Sequence, residues 1–167
     1  MRPLLDLLQA LHDADVRAVV VGGVAVVLQG HPRLTADLDL ALDLSPDNVS
    51  AALAVLSREG LVPRLPVAVQ DFADPQIRER WRRERGLTVF SMHDPNDPRR
   101  EVDLFAADPL PFDELWEASR VVSVAGVPVR VASIQHLIRM KRASGRPQDL
   151  ADIVALEGLQ GDTGPSR

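Results

Sequence analysis

The sequence predicts an α/β fold of the α+β kind, a small mixed sheet carrying acidic side chains and flanked by helices. Three observations predict it. Short β-branched or alternating runs, "VRAVVV", "DLDLAL" and "REVDLFA", read as strands. Stretches with apolar residues at helical spacing stand between them. Helix starts and stops occur at the junctions: Ser45-Pro46, Asp74-Pro75, and glycines at 60 and 86. At 167 residues the chain has the size of one domain, expected over 1–158, with 159–167 as a frayed tail.

In chain order, Leu4, Leu7, Leu8 and Leu11 share one helical stripe, and a turn at Asp15 leads into a buried strand from Arg17 to Val21. Gly22-Gly23 ends that strand and "VAVVLQG" continues as a short helix. A second strand covers 37–42. Ser45, with proline after it, opens a helix to about Glu59. Asp74-Pro75 opens another through "QIRERWRRER", stopped by Gly86. "LTVFSMH" and "REVDLFA" pair as a hairpin across "DPNDPR", which puts Asp103 in the middle of an interior strand, expected to be antiparallel. A short helix over 111–119 precedes a hairpin turning at Ala125-Gly126. Ser133 caps a further helix, and the last helix runs from Gln148 to about Leu156.

Composition narrows the function classes. The chain is 46% hydrophobic and 26% charged, the balance of a globular protein. Without cysteine it has no disulfide, thiolate zinc site or cysteine nucleophile, and a reducing cytoplasm is the expected compartment. No membrane segment is expected: the apolar run Ala18 to Leu28 is too short to span a bilayer and has two glycines at its centre. A net charge of −5 argues against holding nucleic acid through the whole surface. No histidine pair has metal-binding spacing, and neither a G-x-S-x-G nor a Walker motif occurs.

The acids in "TADLDLALD" mark the chemistry. On a strand, Asp37 and Asp39 share one face about 6.6 Å apart at the Cα while Leu38 and Leu40 face the core. Two carboxylates that close repel unless a cation lies between them, and oxygen donors suit Mg²⁺ or Mn²⁺. Asp103, between Val102 and Leu104 on a neighbouring strand, can supply a third ligand, with Glu101 on the same face. The alternative is a solvated strand edge. Gly22-Gly23 favours the cation site, because backbone amides between a strand and a helix can approach phosphate closely.

Gly22-Gly23 followed by Asp37-Leu38-Asp39 and a later Asp103 between apolar neighbours resembles the nucleotidyltransferase superfamily related to DNA polymerase beta. More narrowly, "VVVGGVAVVLQGHPRLTADLDL" with "LIRMKRASGRPQDLADIVALE" resembles the small bacterial AbiEii-like nucleotidyltransferases, many of them toxins of toxin–antitoxin pairs. The resemblance implies a nucleotidyltransferase-like fold and a nucleoside triphosphate bound through Mg²⁺ or Mn²⁺. Asp37 and Asp39 would be metal ligands, Asp103 a ligand and candidate base, and Gly22-Gly23 the cradle of the triphosphate. An acceptor hydroxyl on RNA, protein or a small molecule would attack the α-phosphate, and an antitoxin would be a partner. A matching "RxTxD" implies that Arg33 meets phosphate and Thr35 steadies the loop.

Lys141 is the one lysine among 19 basic residues and lies on the apolar stripe of its helix. It reads either as a lysine snorkelling from the core edge or as a charge on the triphosphate. The family's "K…GRPxDxxD" pattern implies the second, with Asp149 and Asp152 orienting Lys141 or contacting nucleotide. "RERWRRER" reads as a solvated helix with Trp81 in the core, or as a grip on polynucleotide. Two other functions stay open: a catalytically silent binding module, and a transferase acting on an antibiotic hydroxyl.

Overall fold

The computed structural model describes residues 2–35 and 37–161. Helix α1 (Arg2–Asp13) buries Leu4, Leu7, Leu8 and Leu11 as one stripe. Asp15, at φ 54°, turns the chain into β1 (Ala18–Val21), and α2 (Gly22–Leu28) follows with no loop between them. Then come β2 (Leu38–Leu42), α3 (Pro46–Arg58) and the two-residue β3 (Val62–Pro63). A 3-10 turn at Val69–Ala73 leads to α4 (Pro75–Arg85), where Asp74 accepts from the Gln76 amide at 2.7 Å and Gly86 closes the helix at φ 64°.

Strands β4 (Val89–Asp94) and β5 (Asp97–Phe105) form the first hairpin. After α5 (Phe112–Glu117), β6 (Arg120–Val124) and β7 (Val127–Val131) form the second, with Ala125 and Gly126 both at positive φ in the turn. Helix α6 (Ile134–Ser144) starts at the Ser133 cap, and α7 (Pro147–Gly161) ends the described chain.

The strands make one mixed sheet in the order β3-β4-β5-β2-β1-β7-β6. In its centre β1 runs antiparallel to β2 and parallel to β7. Helix α1 lies against α3, β5 and β7, while α2 lies against β1, β2 and α6, and α7 packs on α6. No helix among the described residues is long and apolar enough to cross a membrane.

Three expectations change. Strand β5 is antiparallel to its hairpin partner β4 but parallel to β2, because the hairpin sets β5 and not β4 beside β2. Asp37 stands at the threshold of β2 and is exposed; the strand begins at Leu38. Helix α7 continues through Gly161, with Leu159 packed on the core, so 159–161 belong to the helix while 162–167 lie outside the described residues.

Candidate active site

Strand alternation decides where the acids point. Leu38 and Leu40 are buried, and Asp39 between them turns to the opposite face. Val102 and Leu104 do the same around Asp103, and the parallel register sets Asp39 directly beside Asp103. Across β1 and β2, Val21 pairs with Asp39, so Gly22 follows at the edge of the carboxylate. A Cβ on Gly22 would fall inside that carboxylate, and its φ of 61° also disfavours any side chain.

The acids repel one another. Burial first, then Asp103 and Asp37, push Asp39 up to about 6, against the Gly23 amide and the Lys141 ammonium. Burial, Glu101 and Asp103 also raise Asp37, with Arg64 opposing them. Asp103 Oδ1 is buried and has no hydrogen-bond partner among the described residues, a state that costs about 1–3 kcal/mol. A buried acceptor without a donor, beside further carboxylates, is the environment a cation satisfies. The donors are all oxygen, the set that Mg²⁺ and Mn²⁺ prefer. Among the described residues no three acidic or imidazole side chains close into a ready-made metal cage. Mg²⁺ does not require one, since it is commonly held by one or two carboxylates together with substrate phosphates and water. Asp37, Asp39 and Asp103 therefore fit an ion of this kind.

A cleft of about 630 Å³ opens over these acids. It is lined by Gly22, Gly23, Arg33, Thr35, Asp37, Asp39, Asp103, Lys141 and Asp149, which are nine of the ten residues singled out from the sequence. The tenth, Asp152, is 0% exposed and lies behind the wall. Lys141 Nζ is 2.6 Å from Asp152 Oδ2 and 3.1 Å from Asp149 Oδ1. Arg33 Nη1 pairs with the same Asp152 oxygen, tying the loop before β2 to α7. Burial works against ionising Asp149, but Lys141, the Ser144 hydroxyl and the Arg146 amide outweigh it and hold Asp149 below the usual carboxylate range. Of the two roles left open for Asp152, this placement suits orienting Lys141 and Arg33; contact with nucleotide is blocked by its burial. Arg33 is thus a brace as well as a phosphate candidate. Its Nη2 and the Thr35 hydroxyl close over Gly23, where a Cβ would meet them at 3.0 and 2.5 Å.

Several residues in or near the cleft escape sequence reasoning. Arg64 grips Glu101 with two bonds of 2.5 and 2.7 Å and holds that carboxyl below its ordinary range, while its charge reaches Asp37 and Asp103. No local signal in "VPRLP" marks it. Leu137, Met140 and Phe105 form an apolar wall, and Arg146 and Gln148 line the cleft from the "GRPQD" stretch. Two other features are structural. Asp43, the third aspartate of its stretch, pairs with Arg17 at 2.5 Å. In α4, Arg78 is buried and donates to the Phe72 and Leu44 carbonyls, and Trp81 stacks on Phe90, so α4 is the solvated helix anchored in the core.

No family model matches the sequence, and no curated protein matches it. Solved structures do. A Thermotoga maritima protein assigned to the nucleotidyltransferases superposes with a TM-score of 0.59 at 16% identity, over 94% of this chain and 91% of its own. The solution structure of the antibiotic-resistance factor ANT(2″)-Ia gives 0.58 at 14% identity, over 96% and 84%. The chain has the nucleotidyltransferase fold. The crystal structure of ANT(2″)-Ia in complex with adenylyl-2″-tobramycin agrees, with 0.55 at 15% identity over 93% and 91%. Within this nucleotidyltransferase fold Asp39 of β2 and Asp103 of β5 stand on the cleft face and their aliphatic neighbours along each strand on the other.

Proposed function

We propose that the protein is a metal-dependent nucleotidyltransferase that moves a nucleoside monophosphate from a nucleoside triphosphate to an acceptor hydroxyl. The observation that carries this reading is the side-by-side Asp39 and Asp103, one oxygen buried and unpartnered, in a cleft that also holds Lys141, Arg33 and the Gly22-Gly23 turn. Held by Asp37, Asp39 and Asp103, Mg²⁺ or Mn²⁺ would neutralise phosphate charge and activate the acceptor oxygen. Lys141, braced by Asp149 and Asp152, and Nη2 of Arg33 offer positive charge to the triphosphate. The bare backbone of Gly22-Gly23 admits phosphate oxygens where a side chain would block them. Leu137, Met140 and Phe105 offer an apolar seat for the base.

In the reaction, the acceptor oxygen bonds to the α-phosphorus as the bond to the bridging oxygen breaks, and pyrophosphate leaves. The hydroxyl proton passes to Asp103. A small-molecule hydroxyl is the acceptor best supported, because the neighbour bound to adenylyl-2″-tobramycin shares the fold. The AbiEii-like reading, with RNA or protein as acceptor and an antitoxin as partner, rests on the sequence resemblance. The triphosphate donor is an intracellular compound, which supports a cytoplasmic site of action.

The test supplies each α-labelled nucleoside triphosphate with Mg²⁺ and separate pools of RNA, protein and small alcohols, aminoglycosides included. Label should enter one pool and vanish with Asp39→Asn or Asp103→Asn. Nucleotide binding with no label in any pool would instead establish the silent module.

A further inference from the structure

A second pocket, of about 330 Å³, lies on the opposite face of the sheet from the acids. Leu40 and Val20 form part of its floor; Leu40 follows Asp39 on β2 and so points the other way. Leu8, Leu11 and Val129 complete an aliphatic lining, and the volume is at the lower end of the range for small-molecule sites, about 300–1,000 Å³.

The polar groups at its wall are unequal. Trp116 carries two guanidiniums, with Arg130 3.9 Å and Arg17 5.0 Å from the ring centroid. Arg17 is already matched by Asp43 at 2.5 Å and Asp113 at 3.6 Å. Among the described residues Arg130 has neutral partners: the Ser119 hydroxyl at 2.9 Å and the Trp116 carbonyl at 3.5 Å. It has no carboxylate partner among the described residues. Ring stacking and the Ser119 bond fix Arg130 in place, so little ordering remains when a ligand binds. Val121, 55% exposed, extends the apolar surface outward. Asp15 also lines the pocket, and a second negative charge on a ligand would meet it.

We propose that this pocket binds a small apolar monocarboxylate, its carboxylate on Arg130 and its hydrocarbon against the aliphatic floor. The site needs neither nucleotide nor metal, so it stands apart from the transfer reaction.

The chain has two tryptophans, whose indole N–H resonances are told apart by Trp116→Phe. The probes are isocaproate, isocaproamide and isohexylamine, added to the full chain without nucleotide. Isocaproate should move the Trp116 resonance saturably below about 10 mM and leave the buried Trp81 resonance in place. The amide should bind at least about tenfold more weakly, as should Arg130→Gln and Val121→Glu with isocaproate. Val121→Glu changes an exposed side chain, and an unmoved Trp81 signal confirms that either variant is folded. If Arg130→Gln fails that check, Val121→Glu decides. The proposal falls if isocaproate gives no saturable shift, if isohexylamine shifts Trp116 equally well, or if the folded variants bind isocaproate unchanged.

Discussion

Replacing Asp39 with asparagine should stabilise the metal-free protein. The side chain is pushed from 3.8 to about 6 by burial and by the neighbouring Asp103 and Asp37. A carboxyl whose folded value is raised favours the folded state below its unfolded value and loses that advantage as pH rises through the folded one. Across about two units, at about 1.4 kcal/mol each, ionised Asp39 costs the fold about 3 kcal/mol at neutral pH. Asparagine keeps an oxygen for the Gly23 amide and carries no charge. Urea denaturation in EDTA should find Asp39→Asn more stable than the parent by about 2–3 kcal/mol at about pH 7.5, or about 4–12 °C in Tm. The gap should shrink steadily as pH falls from about 6 through about 4, and below that the parent carboxyl is protonated in both states. Excess Mg²⁺ should narrow the gap at neutral pH by stabilising the parent more than the variant. An asparagine variant less stable than its parent at about pH 7.5, or a gap independent of pH, would refute the picture of carboxylates held together against their repulsion.

Other perturbations probe the cleft and the groups around it. Gly22→Ala should cost about 1–2 kcal/mol from its φ of 61° and, by displacing the Asp39 carboxylate, lower label transfer by about 100-fold, read by denaturation and by turnover on one sample. Asp152→Ala leaves Lys141 and Arg33 short of their shared carboxylate and should destabilise by about 3–5 kcal/mol in the same denaturation assay. Arg64→Ala removes the cation that lowers Glu101 and opposes the rise of Asp37, so both should titrate at higher pH. The acid limb of the pH–rate profile should then move upward; an unmoved limb would detach Arg64 from the site.

Legibility of this fold follows the distance over which each feature is encoded. The Asp74 cap, the Gly86 stop and the Ala125-Gly126 turn are settled by residues within one turn of each other, and all three stand where local rules put them. The acids of β2 and β5 were legible for a similar reason, since a carboxylate flanked by aliphatic neighbours on a strand needs an explanation wherever the strand lies. Partners joined across the chain left no such trace. Glu101 meets Arg64 over 37 residues and Arg33 meets Asp152 over 119, separations that only the sheet order and the packing of α7 bring together. The direction of β5 relative to β2 was missed on the same ground: a hairpin determines how its two strands face each other, and which of them joins the rest of the sheet depends on packing elsewhere. That choice has a chemical consequence. With β4 next to β2, Ser91, which lies opposite Asp103 in the hairpin, would come nearer Asp39, and the unpartnered oxygen of Asp103 would be moved one strand further off. Sequence can thus place acids on strands, but the side-by-side pair of Asp39 and Asp103 exists only through the β2–β5 neighbourhood.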